Sequence, residues 1–212
     1  METAKLEIEL SHTLIKAFHK LPTKYQLKIL ADVDRWKNII QKKRGKDRGK
    51  AFLNQIDDAI AHDLKSFNAK ENQKKITCTK GCHHCCYMNI DIFKEEAIAL
   101  AIKIRKKQVW FNKEEFEIQK DMTSEDRQNQ PPRPCIFLKE GTCSIYKDRP
   151  STCRKYYVVS EPEACSLLKN RGGEVASPLL YNAEIIYTAM AKISPFPENA
   201  SMPYMINKML KK

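Results

Sequence analysis

The sequence predicts a mainly α-helical protein with a small β-hairpin, organised as a cysteine-rich metal-binding core plus an N-terminal helical segment. Three observations predict this. Apolar residues recur at helical spacing through residues 1–70. All eight cysteines fall between Cys78 and Cys165. Two short strand-like runs, Cys135–Leu138 and Cys143–Tyr146, flank the turn sequence Lys139-Glu140-Gly141-Thr142.

Residues 1–70 read as three helices. Leu6, Leu10, Leu14 and Phe18 recur every fourth residue and make one apolar stripe. Pro22 ends this helix, and Thr23 can cap the next, which carries Leu27, Leu30, Val33, Trp36 and Ile40. Gly45 and Gly49 are expected to break the basic run Lys42–Lys50 into a loop. The third helix carries Phe52, Ile56, Ile60, Leu64 and Phe67. A polar connector, Lys70–Lys80, leads into the cysteine region, so the expected domains are 1–70 and 71–212. Tyr87–Ile92 alternates like a short strand. Lys94–Lys107 has acids early and bases late, as the helix dipole favours. Residues 119–134 read as an exposed, partly disordered loop. Ser177-Pro178 has the chemistry of a helix start, with that helix running to about Ile193, and the tail from Pro195 ends in a short amphipathic stretch.

Hydrophobic residues make up 42% and charged residues 30% of the 212-residue chain, an ordinary globular composition. No stretch approaches the ~20 apolar residues of a membrane helix, and METAKLEIEL lacks signal-peptide character. A cytoplasmic location is expected, and with it reduced thiols that bind metal or do redox chemistry rather than pair as disulfides. The formal charge is +12. Metal-bound cysteines are thiolates, so the surplus sits mainly in the N-terminal segment. Lys42–Lys50 could then meet an acidic partner or nucleic acid, although the run lacks the interleaved aromatics of a base-stacking platform.

Cys78, Cys82, Cys85 and Cys86 form a C-x3-C-x2-C-C half-site. Wound helically, positions 78, 82 and 85 share a face; in a loop, Gly81 could supply the turn that converges them. Adjacent Cys85 and Cys86 point opposite ways in extended chain, so they serve two centres or one of them packs. Cys135, Cys143, Cys153 and Cys165 supply the second half-site, and Cys135 and Cys143 could approach across the hairpin. A soft, thiolate-rich set selects zinc or an iron–sulfur cluster. Arg149, Arg154 and Lys155 can offset thiolate charge near Cys153. His83 and His84 lie inside the first cluster, while His12, His19 and His62 lack a second ligand at metal spacing. Tyr146, Tyr156 and Tyr157 read as core aromatics.

Thr77–Leu100 (TCTKGCHHCCYMNIDIFKEEAIAL) resembles the opening motif of the CxxCxxCC family of zinc- or iron-chelating proteins, the YkgJ-like cysteine-cluster proteins. Cys135-Ile-Phe-Leu, Gly141-Thr-Cys143-Ser-Ile-Tyr146 and Arg149-Pro150-Ser-Thr-Cys153-Arg154 resemble its second motif. The first gap here is three residues, where the family name has two. The resemblance implies that Cys78, Cys82, Cys85, Cys86, Cys135, Cys143 and Cys153 are metal ligands or near neighbours, with Cys165 the least supported of the set. Flagellin lysine N-methylases carry a similar module with an implied iron–sulfur cluster, which hints at redox or methyl-transfer chemistry.

The expectation is therefore a protein holding iron or an iron–sulfur cluster, of the 4Fe-4S kind, with a small-molecule or protein substrate. The alternative is a structural zinc module in an interaction protein. Eight cysteines exceed what one closed zinc site needs. The C-x3-C-x2-C spacing also occurs in radical enzymes that use S-adenosylmethionine, but the helical pattern lacks the alternating strands of their barrel. No nucleotide-binding glycine fingerprint or catalytic triad stands out, so no catalytic residue is named.

Overall fold

A computed structural model describes residues 12–70, 75–79, 81–167, 175–194 and 201–212. Leu6 and Leu10 of the first stripe, part of the connector after Lys70 and the start of the tail at Pro195 lie outside the described residues. The chain forms two compact units, described separately: one from the described parts of Met1–Gln73 and Leu179–Pro195, the other from those of Lys74–Pro178 and Phe196–Lys212.

The first unit contains α1 (His12–Phe18), α2 (Thr23–Ile40), α3 (Gly45–Asn68) and α8 (Tyr181–Ile193). The apolar spacing explains its packing. Helix α2 buries Ile29, Val33 and Ile40, and α3 buries Phe52, Ile56, Ala59 and Ile60. Each set recurs at about one helical turn and faces one side. Helix α8 buries residues on most of its circumference, including Ile185, Ile186, Ala189 and Met190, and packs against α1, α2 and α3. A helix apolar all round belongs at the centre of its unit. Its N-terminus is fixed by Asp63 of α3. The buried carboxylate accepts from the Ala183 backbone N–H at 3.1 Å and from Asn182 Nδ2 at 2.6 Å.

Two expectations are corrected here. The second stripe runs through Ile29 rather than Leu27, which is 61% exposed. The basic run does not form a loop through Gly49, because α3 starts at Gly45. Gly49 lies on the buried face three residues before Phe52, so packing of that face carries the helix past both glycines. Asp47 in the first turn suits the helix dipole.

The second unit is built on α4 (Lys94–Arg105) packed against α9 (Met202–Leu210). Ile92, Leu100, Ile136, Phe137, Met205 and Ile206 form the centre of its core. Arg105 donates to the Met209 and Leu210 carbonyls at 3.0 and 2.9 Å, satisfying the C-terminal end of α9. The segment expected as a partly disordered loop contains α6 (Ser124–Gln128) just after α5 (Lys113–Gln119). Capping explains the order. Asn112 accepts from Glu115 N, and Thr123 and Asp126 cap each other reciprocally.

The hairpin exists in smaller form, as β1 (Leu138–Lys139) paired antiparallel with β2 (Thr142–Cys143). Glu140 and Gly141 have φ of +48° and +75°, the requirement of a type I′ turn. Tyr87–Ile92 is not a paired strand. Its first residue ends a 3₁₀ turn, His84–Tyr87, and Asp91 makes an isolated bridge to Ser201, where α9 begins. Helix α8 starts at Tyr181, later than Ser177-Pro178 suggests.

Candidate metal centre

The first cysteine motif forms a loop, not a helix. Gly81 has φ of +95°, a left-handed conformation that glycine adopts without strain, and Cys82 N donates to Thr79 O across the turn. The three-residue gap between Cys78 and Cys82 is thus taken up by this turn. Cys85 and Cys86 follow within the 3₁₀ turn, so they do not splay as an extended pair would. Hydrogen bonds tie this loop to the second motif. Cys135 N donates to Cys86 O at 2.6 Å, and Val158 N donates to Cys78 Sγ at 3.4 Å. Thr77 Oγ1 donates to Ser160 O at 2.5 Å.

Cys153 is placed from behind by a buried carboxylate. It sits on the short helix α7 (Ser151–Arg154). Glu96 of α4 accepts from Ser151 N at 2.6 Å and from Phe93 N at 2.9 Å. Burial pushes its carboxyl above the usual range, while those two backbone donors pull it down. One acid thereby ties the start of α4 to the start of the cysteine-bearing turn. Sequence reading passed over Glu96, which looks like any acid in a first helical turn.

All eight cysteines line two cavities of the second unit. The larger, about 780 Å³, is walled by Cys82, Cys85, Cys86, Cys135, Cys143 and Cys153. The smaller, about 100 Å³, is walled by Cys78, Cys82, Cys85, Cys153 and Cys165. Cys82, Cys85, Cys153, Tyr146 and Arg149 belong to both walls. All eight thiols are free. Among the described residues, no three His, Cys, Asp or Glu side chains are drawn tightly enough to hold a single ion. The sulfurs surround a space instead of meeting at a point.

Burial dominates the electrostatics. It pushes Cys135 up to about 12 and raises Cys78, Cys143 and Cys153 as well. Cys85 is the exception. A hydrogen bond from Cys86 holds it down at about 7, against burial and with help from the nearby Arg149 cation, and the same bond drives Cys86 up. Arg149 also lowers Cys78, Cys143 and Cys153 slightly and stacks on Tyr146 with 3.9 Å from guanidinium to ring centroid. The set is mostly neutral thiols that a cation can deprotonate and hold, which is the donor chemistry of a soft metal.

The other candidates fall elsewhere. His83 and His84 stack on each other, centroids 5.5 Å apart, and neither lines the two cavities. Arg154 donates to the carbonyls of Arg149 and Lys147, a role in shaping the loop. Tyr146 is 54% exposed and is not core. Tyr156 shares a hydrogen bond with Cys165, which is itself buried in the smaller wall. His62 lies beside Asp63 and Asn182 in the first unit. No described helix is long and apolar enough to cross a membrane.

Residues 77–173 match a family model named CxxCxxCC and described as "Putative zinc- or iron-chelating domain". Neither a curated protein nor a solved structure matches the chain. The matched span contains every cysteine, the smaller wall, the larger wall apart from Met202 and Pro203, and the turn that Glu96 anchors. Residues 77–173 are therefore similar to the zinc- or iron-chelating domain that the CxxCxxCC model describes, and the thiols gathered there supply donors suited to binding such a metal.

Proposed function

We propose that the second unit holds an iron–sulfur cluster, of the 4Fe-4S kind, through its cysteine thiolates and uses it in redox or methyl-transfer chemistry on a small-molecule or protein substrate. The observation that carries this reading is the gathering of all eight cysteines around two cavities with a shared wall. A closed zinc site needs four ligands and leaves no room beside the metal. Eight thiols beside a cavity of about 780 Å³ exceed that need and leave space for a reactant. Cys78, Cys82, Cys85, Cys86, Cys135, Cys143 and Cys153 are the proposed ligand pool, with Cys165 at its margin. Such a pool works only where thiols stay reduced, which favours the cytoplasm.

A structural zinc module is the second reading. It is favoured by the sparse regular structure of the first motif, whose longest element is the four-residue 3₁₀ turn. Such a loop suits a metal staple. The basic run Lys42–Lys50 of the first unit is proposed to meet an acidic partner or nucleic acid.

Anaerobic purification followed by metal and sulfide analysis and a visible spectrum tests these readings. A brown protein with iron and sulfide supports the cluster. A colourless protein with stoichiometric zinc overturns it in favour of the zinc module.

A further inference from the structure

We infer that the larger cavity is a substrate pocket for an amino acid or a closely related acid, a molecule with an apolar body, a carboxylate and a hydrogen-bond donor beside it. The inference rests on the metal reading above, because the cysteines form one wall of the pocket.

Size comes first. About 780 Å³ lies within the range of pockets that take small organic molecules. Beyond the cysteines, the wall includes Met88, Ile90, Met202 and Pro203, which suit an apolar body.

Two side chains then specify the polar end. Gln119 has no solvent exposure and lines the cavity. Its Nε2 donates to Glu115 Oε2 at 2.7 Å and to the Pro134 carbonyl at 2.9 Å. Both partners accept only, so the amide orientation is fixed and Oε1 is the remaining atom. That oxygen is buried and has no hydrogen-bond partner among the described residues. A buried acceptor left unmade is costly, and a ligand N–H or O–H entering the cavity removes the cost. Arg127 lines the same cavity and is half-buried there. A guanidinium stays charged and forms paired hydrogen bonds with a carboxylate. Away from the cysteine wall, whose thiolate charge a bound metal offsets, the charged residues of the lining are Arg127, Lys147 and Arg149; no described Asp or Glu lines the cavity, although Asp91 and Glu115 lie near Arg127. The pocket thus favours an anionic end, with a donor placed for Gln119.

Three probes of one shape separate these features. L-Phenylalanine has the ring, the carboxylate and an ammonium donor. 3-Phenylpropanoate lacks the donor, and 2-phenylethylamine lacks the carboxylate. Each is titrated by calorimetry into full-length metal-loaded protein whose metal content is measured on the same sample. L-Phenylalanine is expected to bind most tightly, with each truncated probe weaker by roughly tenfold or more. Arg127→Gln should remove the preference for the carboxylate, and Met88→Trp, which fills the apolar side, should weaken all three. Metal-loaded protein that binds none of the probes, or binds all three equally, overturns the pocket. The same holds if Arg127→Gln leaves the ranking intact. Protein that holds no iron or zinc overturns the metal reading and the inference with it.

Discussion

The two units reach stability by different routes. The first consists, as described, of helices whose buried faces recur at one-turn spacing, closed by a central helix that is apolar on most sides. Apolar burial accounts for most of its architecture, with Asp63 fixing the start of α8. The second has a comparable core between α4 and α9, but its cysteine loops stand beside that core on a 3₁₀ turn, a two-residue hairpin and a four-residue helix. Elements that short cannot fix their own positions, so cross-links must. Glu96 and the backbone bonds between the two motifs supply some of these, and a bound metal would supply the rest. A unit can thus owe its order to a repeated apolar pattern or to a few long-range ties.

Breaking the metal ties should have the largest effect. Cys82→Ser and Cys143→Ser are each expected to lose most of the bound metal, measured by mass spectrometry, because one comes from each motif. Retention of full metal by Cys143→Ser would mean that the motifs serve separate centres. The mirror experiment is Phe52→Ala in the first unit, where a fully buried ring is removed. It should cost about 3–5 kcal/mol by denaturant titration and leave the metal content unchanged.

Two buried acids sharpen the contrast. Glu96→Ala leaves the Ser151 and Phe93 N–H groups without their acceptor and should destabilise the second unit by about 2–3 kcal/mol, with a matching fall in metal occupancy as Cys153 loosens. Asp63→Ala removes the acceptor at the start of α8 and should cost about 1–2 kcal/mol with metal occupancy unaffected. If both acids proved equal in their effect on metal, the division of labour would be wrong.

The pH dependence should differ with the state of the site. Without metal, burial raises Cys78, Cys135, Cys143 and Cys153 above their unfolded values, Cys135 to about 12. The folded chain then holds protons that the unfolded chain releases from about pH 8.5 upward. This contribution to stability is complete below that pH and is lost as pH rises toward 12. Metal uptake reverses the sign, because each raised thiol must give up its proton to become a ligand. Apparent metal affinity should therefore fall as pH falls, about tenfold per pH unit for each proton displaced. Chelator-treated and metal-loaded samples melted across pH 6–10 should diverge accordingly. The smallest expected effect belongs to the basic run. Binding of an acidic partner through Lys42–Lys50 should weaken steeply with salt, and insensitivity to salt would remove that partner.

How much of this was legible beforehand depends on the range of each interaction. Segregation of the cysteines, the stripe of α3, the helix at Lys94 and the turn at Glu140-Gly141 are local patterns, and local patterns can be read from spacing and backbone preference alone. Residue spacing and residue type are enough to set the helical class, the hairpin and the identity of the soft donors. Packing brings α8 into the N-terminal unit, carries Glu96 across 55 residues to the turn bearing Cys153, and leaves the Oε1 of Gln119, a residue of the cysteine-lined cavity wall, buried without a partner among the described residues. These depend on which surfaces meet and which donors they leave buried. Such contacts carry no period along the chain, so no spacing announces them.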